Sequence, residues 1–486
     1  MARLKEYNGR YCESEYEYAF IGFLEAEGWK YSSGNNISRV TKRDVLIADD
    51  FKKFIADTNP DLTEDEVIQI YDNVRLVGAE SDFATLHKVY GWMVNGVQFT
   101  TQDGLPRMIP LIDFDNWDKN IFRVVNQFTV EYTNNGQKEN RRPDVLLFVN
   151  GMPLCVIELK NPADANATIY DAWEQINIRY WRDIPHLLHY CPLACISDGV
   201  KTRLGTVRTP YEHFYAWRRV NEGDAVSTLP FAETETMIKG VYAPERFMEI
   251  FRDYIYFQDS IYDSDEVEII CRYPQFFAAK LLKQSIVNSV VTRSGKGGTY
   301  FGATGCGKTY TMAFLARQLA LRCTDIPEIG SPTIILIVDR DELQKQGSKL
   351  FTKSKEFLNL GEVSVVKNRT QLRQELGARQ SGGFYICTIQ KFCDRKDDKI
   401  GLINDRQNII CFSDEAHRTQ LEHSKKIQFS KDADENMKAM VSKPYAKVLK
   451  EAFPHATFVG FTGTPIAETY QTFGDEIDRY TMDQAV

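Results

Sequence analysis

The sequence contains no run of about 18 apolar residues, the length that a membrane-spanning helix needs, so we expect no membrane segment. Its first residues, MARLKEYNGRY, lack the apolar stretch of a secretion signal. Its 10 cysteines form no CxxC framework. The closest pair, Cys191 and Cys195, stands in the apolar stretch CPLACI, which is typical of buried strand cysteines rather than of a metal site. These absences predict a cytoplasmic protein with reduced thiols.

An excess of positive charge is also absent, because the formal net charge is −8. Local basic patches, not the whole-chain charge, decide nucleic-acid binding, so this value neither favours nor excludes a nucleic-acid partner. The chain of 486 residues is too long for one hydrophobic core and predicts roughly two to four domains. We find no internal repeat and no low-complexity segment, so the domain boundaries must come from motifs.

The pattern of apolar residues changes along the chain. Strand-like segments dominate residues 95–205, with one helix expected around 168–180, and residues 243–285 are expected to be helical. From residue 297 onward, apolar strands alternate with helices, which is the pattern of a parallel α/β sheet. We therefore expect an α/β protein in three parts, with residues 1–240 and 271–486 as domains and 241–270 as a helical linker. Residues 205–265 contain no motif that we can interpret.

Residues 302–309, GATGCGKT, match the phosphate-binding pattern GxxxxGK[ST]. Its glycines allow backbone N–H groups to surround phosphate oxygens, and the helix that follows directs its positive end at the same phosphates. Lys308 would contact the β- and γ-phosphates, and Thr309 would bind Mg²⁺. The pattern predicts an ATP and Mg²⁺ site, and its three glycines are Gly302, Gly305 and Gly307.

Residues 409–417, IICFSDEAH, form an apolar strand that ends in two carboxylates. Ligand-binding groups of a parallel sheet lie at the carboxyl ends of its strands. Asp414 is expected to complete the Mg²⁺ shell and Glu415 to orient and deprotonate the attacking water. His417 would be an ordinary surface histidine in most sequences, but the DEAH spelling favours a role at the γ-phosphate or in coupling.

Three more apolar strands end in polar turns, at VDRDEL, TIQKF and TGTP. In this order after the phosphate loop, they resemble superfamily 2 helicases and translocases over about residues 270–470. The resemblance implies a nucleic-acid track with contacts to phosphates, coupling of hydrolysis to movement, and an adenine-reading segment at RYPQ. The residues concerned are Arg340, Thr388 and Gln390 for the track, Thr462 and Thr464 for coupling, and Arg272 and Gln275 for adenine, with a solvent-exposed glutamine as the alternative for the last.

A second motif lies upstream, where Pro143-Asp144 opens one strand and Glu158-Leu159-Lys160 ends the next. This arrangement reads PD…ExK. Two carboxylates can bring Mg²⁺ to a scissile phosphate, and an adjacent lysine can orient the attacking water and offset the developing charge. The motif alone is weak, because carboxylates beside a lysine on strands are usually solvated ion pairs.

The hairpin that joins these strands must satisfy a register condition. In an antiparallel pair, a two-residue Asn150-Gly151 loop would place Asp144 opposite Ile157 and leave Glu158 on the other face. An odd-length loop or a bulge would place both acids on one face, and Gly151 can supply the left-handed residue of a bulged turn. We therefore predict an odd loop or a bulge. Acids on opposite faces would exclude a nuclease.

Three further residues support a nuclease. Gln175 and Tyr180 lie on the helix expected after the lysine strand, and Glu17 lies on the N-terminal one, ESEYEYAFIGFLEA. Together they resemble the RecB-like branch of the PD-(D/E)xK nucleases, in which a Gln-x3-Tyr helix supports the site and an acid of the first helix can bind metal. Here Gln175 and Tyr180 are five apart, which departs from the family spacing. A plain surface glutamate is the alternative for Glu17.

A RecB-like nuclease directly before a superfamily 2 motor resembles the R subunit of type I restriction–modification enzymes over nearly the whole chain. The resemblance implies a PD-(D/E)xK endonuclease domain at 1–240 and a first RecA-like motor lobe at 271–486. It implies ATP-driven translocation of duplex DNA, Mg²⁺-dependent endonucleolytic cleavage of unmodified DNA, and partner subunits for methylation (M) and specificity (S). The alternatives are another helicase–nuclease fusion, which the nuclease-first order disfavours, and a non-catalytic binding or assembly module, which the intact motifs disfavour.

Motors of this superfamily need a second RecA-like lobe that supplies an arginine to the γ-phosphate. The 22 residues after Thr464 leave no room for it, so we expect this chain to be the N-terminal part of a longer subunit. Because such an arginine contributes on the order of 10³–10⁵ in rate, we expect weak ATP binding, very slow hydrolysis and no translocation by this chain alone.

Overall fold

The chain divides into two compact units, Met1–Ile270 and Cys271–Val486. The computed structural model describes residues 13–78, 80–160, 168–225, 232–258, 266–303, 305–338, 350–353, 355–392, 401–416, 427–431, 437–441 and 445–481. No helix in these ranges is both long and apolar enough to cross a bilayer. The expected α/β class, with a parallel sheet, is confirmed.

The first unit is built on a mixed sheet of six described strands in the order β1-β4-β7-β8-β9-β10. The pairs β1–β4 and β8–β9 are parallel, and the other three neighbouring pairs are antiparallel. All residues of β7 and β8 are buried, which explains their nearly continuous apolar sequences. Two hairpins, β2–β3 and β5–β6, and the pair β11–β12 stand outside this sheet. The strands are β1 (Lys30–Ser33), β2 (Val97–Thr100), β3 (Pro106–Ile109), β4 (Phe122–Asn126), β5 (Val130–Asn134), β6 (Gln137–Arg141), β7 (Val145–Val149), β8 (Met152–Leu159), β9 (Leu193–Ser197), β10 (Thr202–Thr206), β11 (Ile255–Gln258) and β12 (Val267–Ile270).

Helices cover this sheet and form a separate helical layer beside it. The first helix packs on β1, β4 and β8, and the helix that begins at Ile169 packs on β8 and β9. They are α1 (Glu13–Ala26), α2 (Ala48–Thr58), α3 (Glu64–Arg75), α4 (Asp82–Asn95), α5 (Ile169–Glu174), α6 (Trp181–Asp183), α7 (Pro185–Leu188), α8 (Ala232–Met237) and α9 (Pro244–Asp253). Two segments have the wider π-helical form, Gln175–Tyr180 and Ile238–Tyr242, and three short 3-10 turns occur at Gly34–Asn36, Trp117–Lys119 and Tyr211–His213.

The segment 241–270, expected as a helical linker, contains α9 and the antiparallel pair β11–β12. It belongs to the first unit. The indole of Trp29 donates a hydrogen bond to the carbonyl of Tyr242, and the hydroxyl of Tyr90 donates one to the carbonyl of Phe251. The expectation of helix over 243–285 was therefore wrong at 255–258 and 267–270, because strand pairing and burial of apolar residues in β11 prevail there over the helical pattern.

The second unit is built on a sheet whose seven described strands run in the order β15-β16-β14-β17-β20-β13-β21, and every neighbouring pair is parallel. The carboxyl ends of all these strands therefore meet at one edge. The strands are β13 (Lys296–Gly302), β14 (Thr333–Val338), β15 (Val363–Val365), β16 (Phe384–Thr388), β17 (Ile409–Asp414), β20 (Thr457–Thr462) and β21 (Glu476–Tyr480), and β18 (Ile427–Lys431) pairs with β19 (Met437–Val441) apart from them.

Helices pack on this parallel sheet, and buried side chains of its strands form a core with two of them. Leu372 and Leu376 come from one helix of that core, and Val448 and Leu449 come from the other. The helices are α10 (Tyr273–Thr292), α11 (Lys308–Arg322), α12 (Lys355–Leu358), α13 (Arg369–Gly377), α14 (Tyr445–Ala452) and α15 (Ala467–Phe473), and a 3-10 turn spans Ile389–Phe392.

Candidate functional site

The β7–β8 hairpin turns through two residues, Asn150 and Gly151, whose φ angles of 49° and 76° are both left-handed. This is the backbone that a tight turn between twisted strands requires. The side chain of Asn150 is buried and bonded on both ends, since its oxygen accepts from Ile121 N at 2.8 Å and its amide donates to Leu111 O at 2.9 Å. The turn is therefore fixed by its own conformation and by the packing around it.

A bulge in β8 then changes the register of the hairpin. Next to the turn, Phe148 pairs with Pro153, whereas beyond it Leu147 pairs with Cys155, so that Leu154 is the extra residue. Pro153 lacks an N–H group and suits such an irregular position. The register continues to Val145 opposite Ile157 and so brings the next pair, Asp144 and Glu158, opposite each other. The predicted bulge is confirmed, although it lies within the strand and not in the turn.

The two carboxylates have different surroundings. Asp144 is half-buried, and its Oδ2 accepts a hydrogen bond from Leu159 N at 2.8 Å. Glu158 is 0% exposed, and its Oε2 has no hydrogen-bond partner. Burial, and after it the charge of Asp144, raises the pKa of Glu158 well above its ordinary value. A buried oxygen of this kind is costly unless a cation or a proton occupies it.

A chain of hydrogen bonds joins Lys160 to Glu158 through the following helix. Lys160 Nζ donates to Gln175 Oε1 at 2.9 Å, Gln175 Nε2 donates to Tyr180 Oη at 2.8 Å, and Tyr180 Oη donates to Glu158 Oε1 at 2.6 Å. The direction of the chain is fixed, because an ammonium group can only donate. Lys160 Nζ also lies 3.9 Å from Glu158 Oε2. The chain therefore occupies Oε1 and leaves Oε2 facing the lysine.

The spacing of Gln175 and Tyr180 is explained by the local helix form. In an α-helix, residues five apart point about 140° away from each other. Residues 175–180 form a π-helix, in which residue i bonds to residue i+5 and each turn holds more residues. Both side chains therefore reach the same site, which explains in physical terms how this chain accommodates the departure from Gln-x3-Tyr.

Glu17 is buried, and its pKa is raised above the ordinary value of a glutamate. Burial raises that pKa most, while hydrogen bonds from Asn126 and Gln127 lower it and the charge of Asp144 raises it further. Asn126 Nδ2 donates to Glu17 Oε1 at 2.5 Å, and Gln127 Nε2 lies 3.2 Å from Oε2. Asn126 and Gln127 were missed from the sequence. Gln127 has a left-handed φ of 56°, and no signal in the sequence marks that conformation.

Whether the first unit can bind a divalent cation depends on its carboxylates. Among the described residues, no group of three or more His, Cys, Asp or Glu side chains is arranged to hold a metal ion. Asp144 and Glu158 nevertheless form an acid pair with one unpartnered, fully buried oxygen. Hard oxygen ligands of this type suit Mg²⁺, which needs only one or two protein carboxylates. The residues present therefore fit Mg²⁺.

In the second unit, the expected phosphate loop connects β13 to α11. Gly305 and Gly307 have φ angles of 83° and 84°, a region that favours glycine. Lys308 begins the helix, and its Nζ donates to Gly302 O at 3.2 Å. Thr309 follows within the first turn of the helix and is half-buried. The glycine backbone and the helix start therefore have the form that a phosphate-binding loop requires.

The two acids of DEAH lie at the carboxyl end of β17, as expected. Glu415 N donates to Asp414 Oδ1 at 3.0 Å, and Glu415 has a left-handed φ of 48°. Burial, followed by the charge of Glu415, raises the pKa of Asp414 to about 6. Lys308 Nζ lies 3.8 Å from Glu415 Oε1. The strand carrying the phosphate loop and the strand carrying these acids are separated by β20 alone.

The expected adenine segment begins α10. Gln275 is 4% exposed, and its Oε1 accepts from Arg272 N at 2.9 Å. A Cβ atom added to Gly307 would overlap Gln275 Nε2, so the two residues are in close contact. Gln275 is therefore buried against the phosphate loop, which excludes the alternative of a solvent-exposed glutamine.

The remaining expected residues lie at the same sheet edge or outside the described ranges. Thr462 ends β20 and is buried, and its hydroxyl accepts from Thr464 N at 3.2 Å. Thr388 ends β16 with 3% exposure, whereas Gln390 in the next turn is exposed. As it stands, the Thr388 side chain offers little surface to a phosphate. Arg340 and His417 lie outside the described residues.

Every cysteine that the structure describes is free of disulfides and buried, as expected for reduced thiols. Cys195 lies within β9, and Cys191 precedes that strand. Burial raises the pKa of the Cys195 thiol to about 12. Burial also raises the pKa of the Cys191 thiol, which favours neutral thiols at both positions.

Comparison with known proteins assigns both halves. Residues 11–213 match the family model of the type I restriction enzyme R protein N terminus, and residues 274–486 match that of the SWI2/SNF2 ATPase. The chain is 30% identical over 98% of its length to the type I restriction enzyme HindI endonuclease subunit of Haemophilus influenzae, of which it covers 45%. It is 26% identical over 74% of its length to the SauCOLORF180P endonuclease subunit of Staphylococcus aureus, of which it covers 33%.

Among solved structures, a fragment named as an HsdR subunit from Vibrio vulnificus overlaps 76% of this chain and 57% of its own at 16% identity, with a TM-score of 0.28 that is too low to carry an argument. The chain spans less than half the length of the curated relatives it matches. The resemblance to R subunits of type I restriction enzymes, expected from the order of the motifs, is confirmed.

Proposed function

We propose that this relative of type I restriction endonuclease subunits is a Mg²⁺-dependent DNA endonuclease joined to the first lobe of an ATP-driven DNA translocase. The observation that carries the nuclease part is the acid pair Asp144 and Glu158, with Lys160 beside it and one buried, unpartnered carboxylate oxygen. The mixed sheet, the bulged hairpin and the helix behind it support a PD-(D/E)xK fold of the RecB-like branch. In this proposal residues 1–240 are the endonuclease domain, 241–270 complete the same unit instead of forming a separate linker, and 271–486 are the RecA-like lobe.

In the nuclease half, Asp144 and Glu158 would hold Mg²⁺, with Glu17 as a further ligand. The metal supplies Lewis-acid polarisation of the phosphodiester and makes a bound water more acidic. Lys160, fixed by Gln175 at 2.9 Å, holds its ammonium group where it orients the attacking water and offsets charge on the phosphate. Tyr180 keeps Glu158 Oε1 occupied by donation, so that the carboxylate presents Oε2 to the site.

In the ATPase half, the backbone at Gly302, Gly305 and Gly307 would surround the phosphates of ATP. The other residues of this site would each contact a different part of ATP, its Mg²⁺ or the attacking water. Lys308 would leave the carbonyl of Gly302 for the β- and γ-phosphates, Thr309 and Asp414 would hold Mg²⁺, Glu415 would orient the water, and Arg272 and Gln275 would contact adenine.

The same proposal assigns the residues that link ATP to DNA. Thr462 and Thr464 would couple hydrolysis to movement, together with His417. Gln390, Thr388 and Arg340 would face the DNA track, and their contacts would be with phosphates and not with bases. The buried state of Thr388 means that its contact would require a local rearrangement.

The proposed partners follow from the relatives that the chain matches. Duplex DNA is the substrate, and methylation (M) and specificity (S) subunits would select which DNA is unmodified and where the motor starts. The enzyme would act in the cytoplasm. This chain would not read bases itself, because its contacts would be with phosphates.

The nuclease proposal is tested by nicking of supercoiled plasmid with Mg²⁺. Wild-type chain should nick, EDTA should abolish nicking, and Lys160→Ala should lower the rate by about 10² because a positioned charge at the phosphate is lost. Lys201→Ala, which removes an exposed lysine of the same unit, is the matched control and should nick as wild type does. Equal rates for Lys160→Ala and wild type would reject the assignment, and no nicking by any variant would favour a non-catalytic assembly module.

A further inference from the structure

The β5–β6 hairpin projects from the nuclease half directly before Asp144. Its two strands form a sheet of their own, separate from the six-stranded sheet, and Asn135-Gly136 joins them through two left-handed residues. Every residue of β6 except Arg141 is exposed. The proposed catalytic acids are held by β7, β8 and the helix behind them, so the exposed hairpin that precedes Asp144 is available for another role.

The two faces of the hairpin differ. Val130 is 0% exposed and Tyr132 is 6% exposed, so one face packs on the body of the unit. Cross-strand partners share a face in an antiparallel pair, and neighbouring pairs alternate between the two faces. The pairs Thr133–Lys138 and Glu131–Asn140 therefore lie on the opposite, outward face.

N–H donors on this outward face are followed by another along the chain toward Asp144. Lys138 and Asn140 are two residues apart on β6, and Arg142 follows after two more, with Asp144 next at the same interval. Arg142 is exposed and stands two residues before Asp144 in the chain. Successive members of this series are about 7 Å apart along an extended chain.

The carboxylates of the hairpin are already neutralised or bonded by neighbouring groups. Lys138 Nζ lies 2.9 Å from Glu131 Oε1 and keeps two further N–H donors. Glu139, on the packed face, accepts from Tyr132 at 2.6 Å and from Asn134 at 2.9 Å. Because Glu131 of the outward face is paired with Lys138, this face and Arg142 together carry a net charge of +1 (two cations and one carboxylate), and Lys138, Asn140 and Arg142 offer N–H donors to a polyanion.

We propose that the outward face of the β5–β6 hairpin binds the phosphate backbone of the duplex beside the cleavage site, with Lys138, Asn140 and Arg142 leading one strand to Asp144. The proposal rests on the proposed nuclease function and names the surface by which that half holds its substrate. A two-stranded ribbon is narrow enough to lie against or enter a major groove about 12 Å wide. The contacts would be independent of sequence, because they are made to phosphates.

The test measures duplex binding in EDTA, where no cleavage occurs, by fluorescence anisotropy of a labelled duplex over a range of salt concentrations. The full chain carrying Lys138→Ala and Arg142→Ala should bind roughly tenfold more weakly, and its salt slope should fall by about 2, one for each lost phosphate contact. The matched control carries Lys53→Ala and Lys119→Ala, which remove two exposed lysines elsewhere in the same unit. It should keep the wild-type slope.

Two further readouts make the result decisive. Lys138→Arg with Arg142→Lys should restore the slope because both charges are kept, and in Mg²⁺ the double alanine variant should raise KM for nicking while kcat stays within a few-fold. A double alanine variant with the wild-type slope, a control that loses as much, or a wild-type chain that does not bind duplex would each overturn the hairpin assignment. The binding measurement does not depend on cleavage. Absence of nicking by the wild type would therefore reject the nuclease proposal but not the hairpin assignment.

Discussion

The two candidate sites are built from the same kinds of group but are held in different ways. In the nuclease half, side chains bond to one another in a continuous chain from Lys160 to Glu158. In the ATPase half, the groups stand at the ends of parallel strands, and they bond to backbone atoms, as Lys308 Nζ does to Gly302 O and Asp414 Oδ1 does to Glu415 N. The first site is held by bonds among its own side chains, and the second is a set of strand ends held by the backbone.

The difference has a physical origin in what each ligand supplies. A triphosphate brings its own negative charge and can organise a glycine-rich backbone and a lysine around it. A single cation is small, so its carboxylates must be positioned by the protein beforehand. Both sites nevertheless contain an acid with a raised pKa, Glu158 and Asp414, and in both burial is the first cause.

The largest expected effect comes from removing the buried charge of the nuclease half. Glu158→Gln should lower nicking by about 10³ or more, because the acid pair would lose one of its two charges toward Mg²⁺. The same change should raise the Tm in EDTA by a few degrees. In the wild type the carboxylate is fully buried and its Oε2 has no hydrogen-bond partner, and the variant replaces this carboxylate by a neutral amide. Plasmid nicking and thermal unfolding measure the two outcomes on the same protein.

The pH dependence of that stabilisation checks its cause. The pKa of Glu158 is raised in the folded state, so the stability of the wild type is fully present below the ordinary pKa of a glutamate and is lost as the pH rises through the higher folded value. The Tm advantage of Glu158→Gln should therefore be greatest at high pH and should vanish near pH 4. An advantage that does not change with pH, or a variant less stable than wild type at high pH, would contradict the buried-charge explanation.

The next effect concerns the backbone of the ATPase half. Gly307→Ala should weaken binding of a fluorescent ATP analogue by about 10- to 100-fold, because Gly307 has a φ of 84° and the added Cβ would overlap the amide of Gln275. Gly361→Ala is the control, since Gly361 has a φ of 78° with open space around its added Cβ. Both variants carry the backbone cost, so equal nucleotide affinities would reject a role for this loop in holding phosphates.

How much the sequence could predict follows the same division. The phosphate loop and the acids at the end of β17 were predicted in place, because their geometry depends on local backbone pattern and on the parallel order of strands. The requirement that Asp144 and Glu158 share one face of the hairpin predicted an odd loop or a bulge, but nothing in the sequence located the bulge at Leu154. The left-handed Gln127 and the pairing of residues 255–258 with 267–270 were not predictable, since tertiary packing and not local preference selects them.

The π-helix is the clearest case of this limit, because hydrophobic periodicity does not distinguish it from an α-helix. The side-chain bonds of its two ends, Gln175 to Lys160 and Tyr180 to Glu158, are tertiary contacts that are satisfied only when the fifth residue returns to the same side. We therefore interpret residues 175–180 as a Gln-x3-Tyr turn with one additional residue.

If the π-helix is such a turn with one additional residue, removing one residue from it should change the nicking activity only a little. Deletion of Ile178, which is 47% exposed, should convert the π-helix to an α-helix with the Gln-x3-Tyr spacing and keep nicking within about tenfold of wild type. Insertion of one alanine after Ile178 should instead separate Gln175 from Tyr180 and reduce nicking as strongly as Lys160→Ala does. If the deletion and the insertion were equally damaging while both variants kept the wild-type Tm, the extra residue would itself be required, and the side-chain contacts of Gln175 and Tyr180 would not be what the site selects.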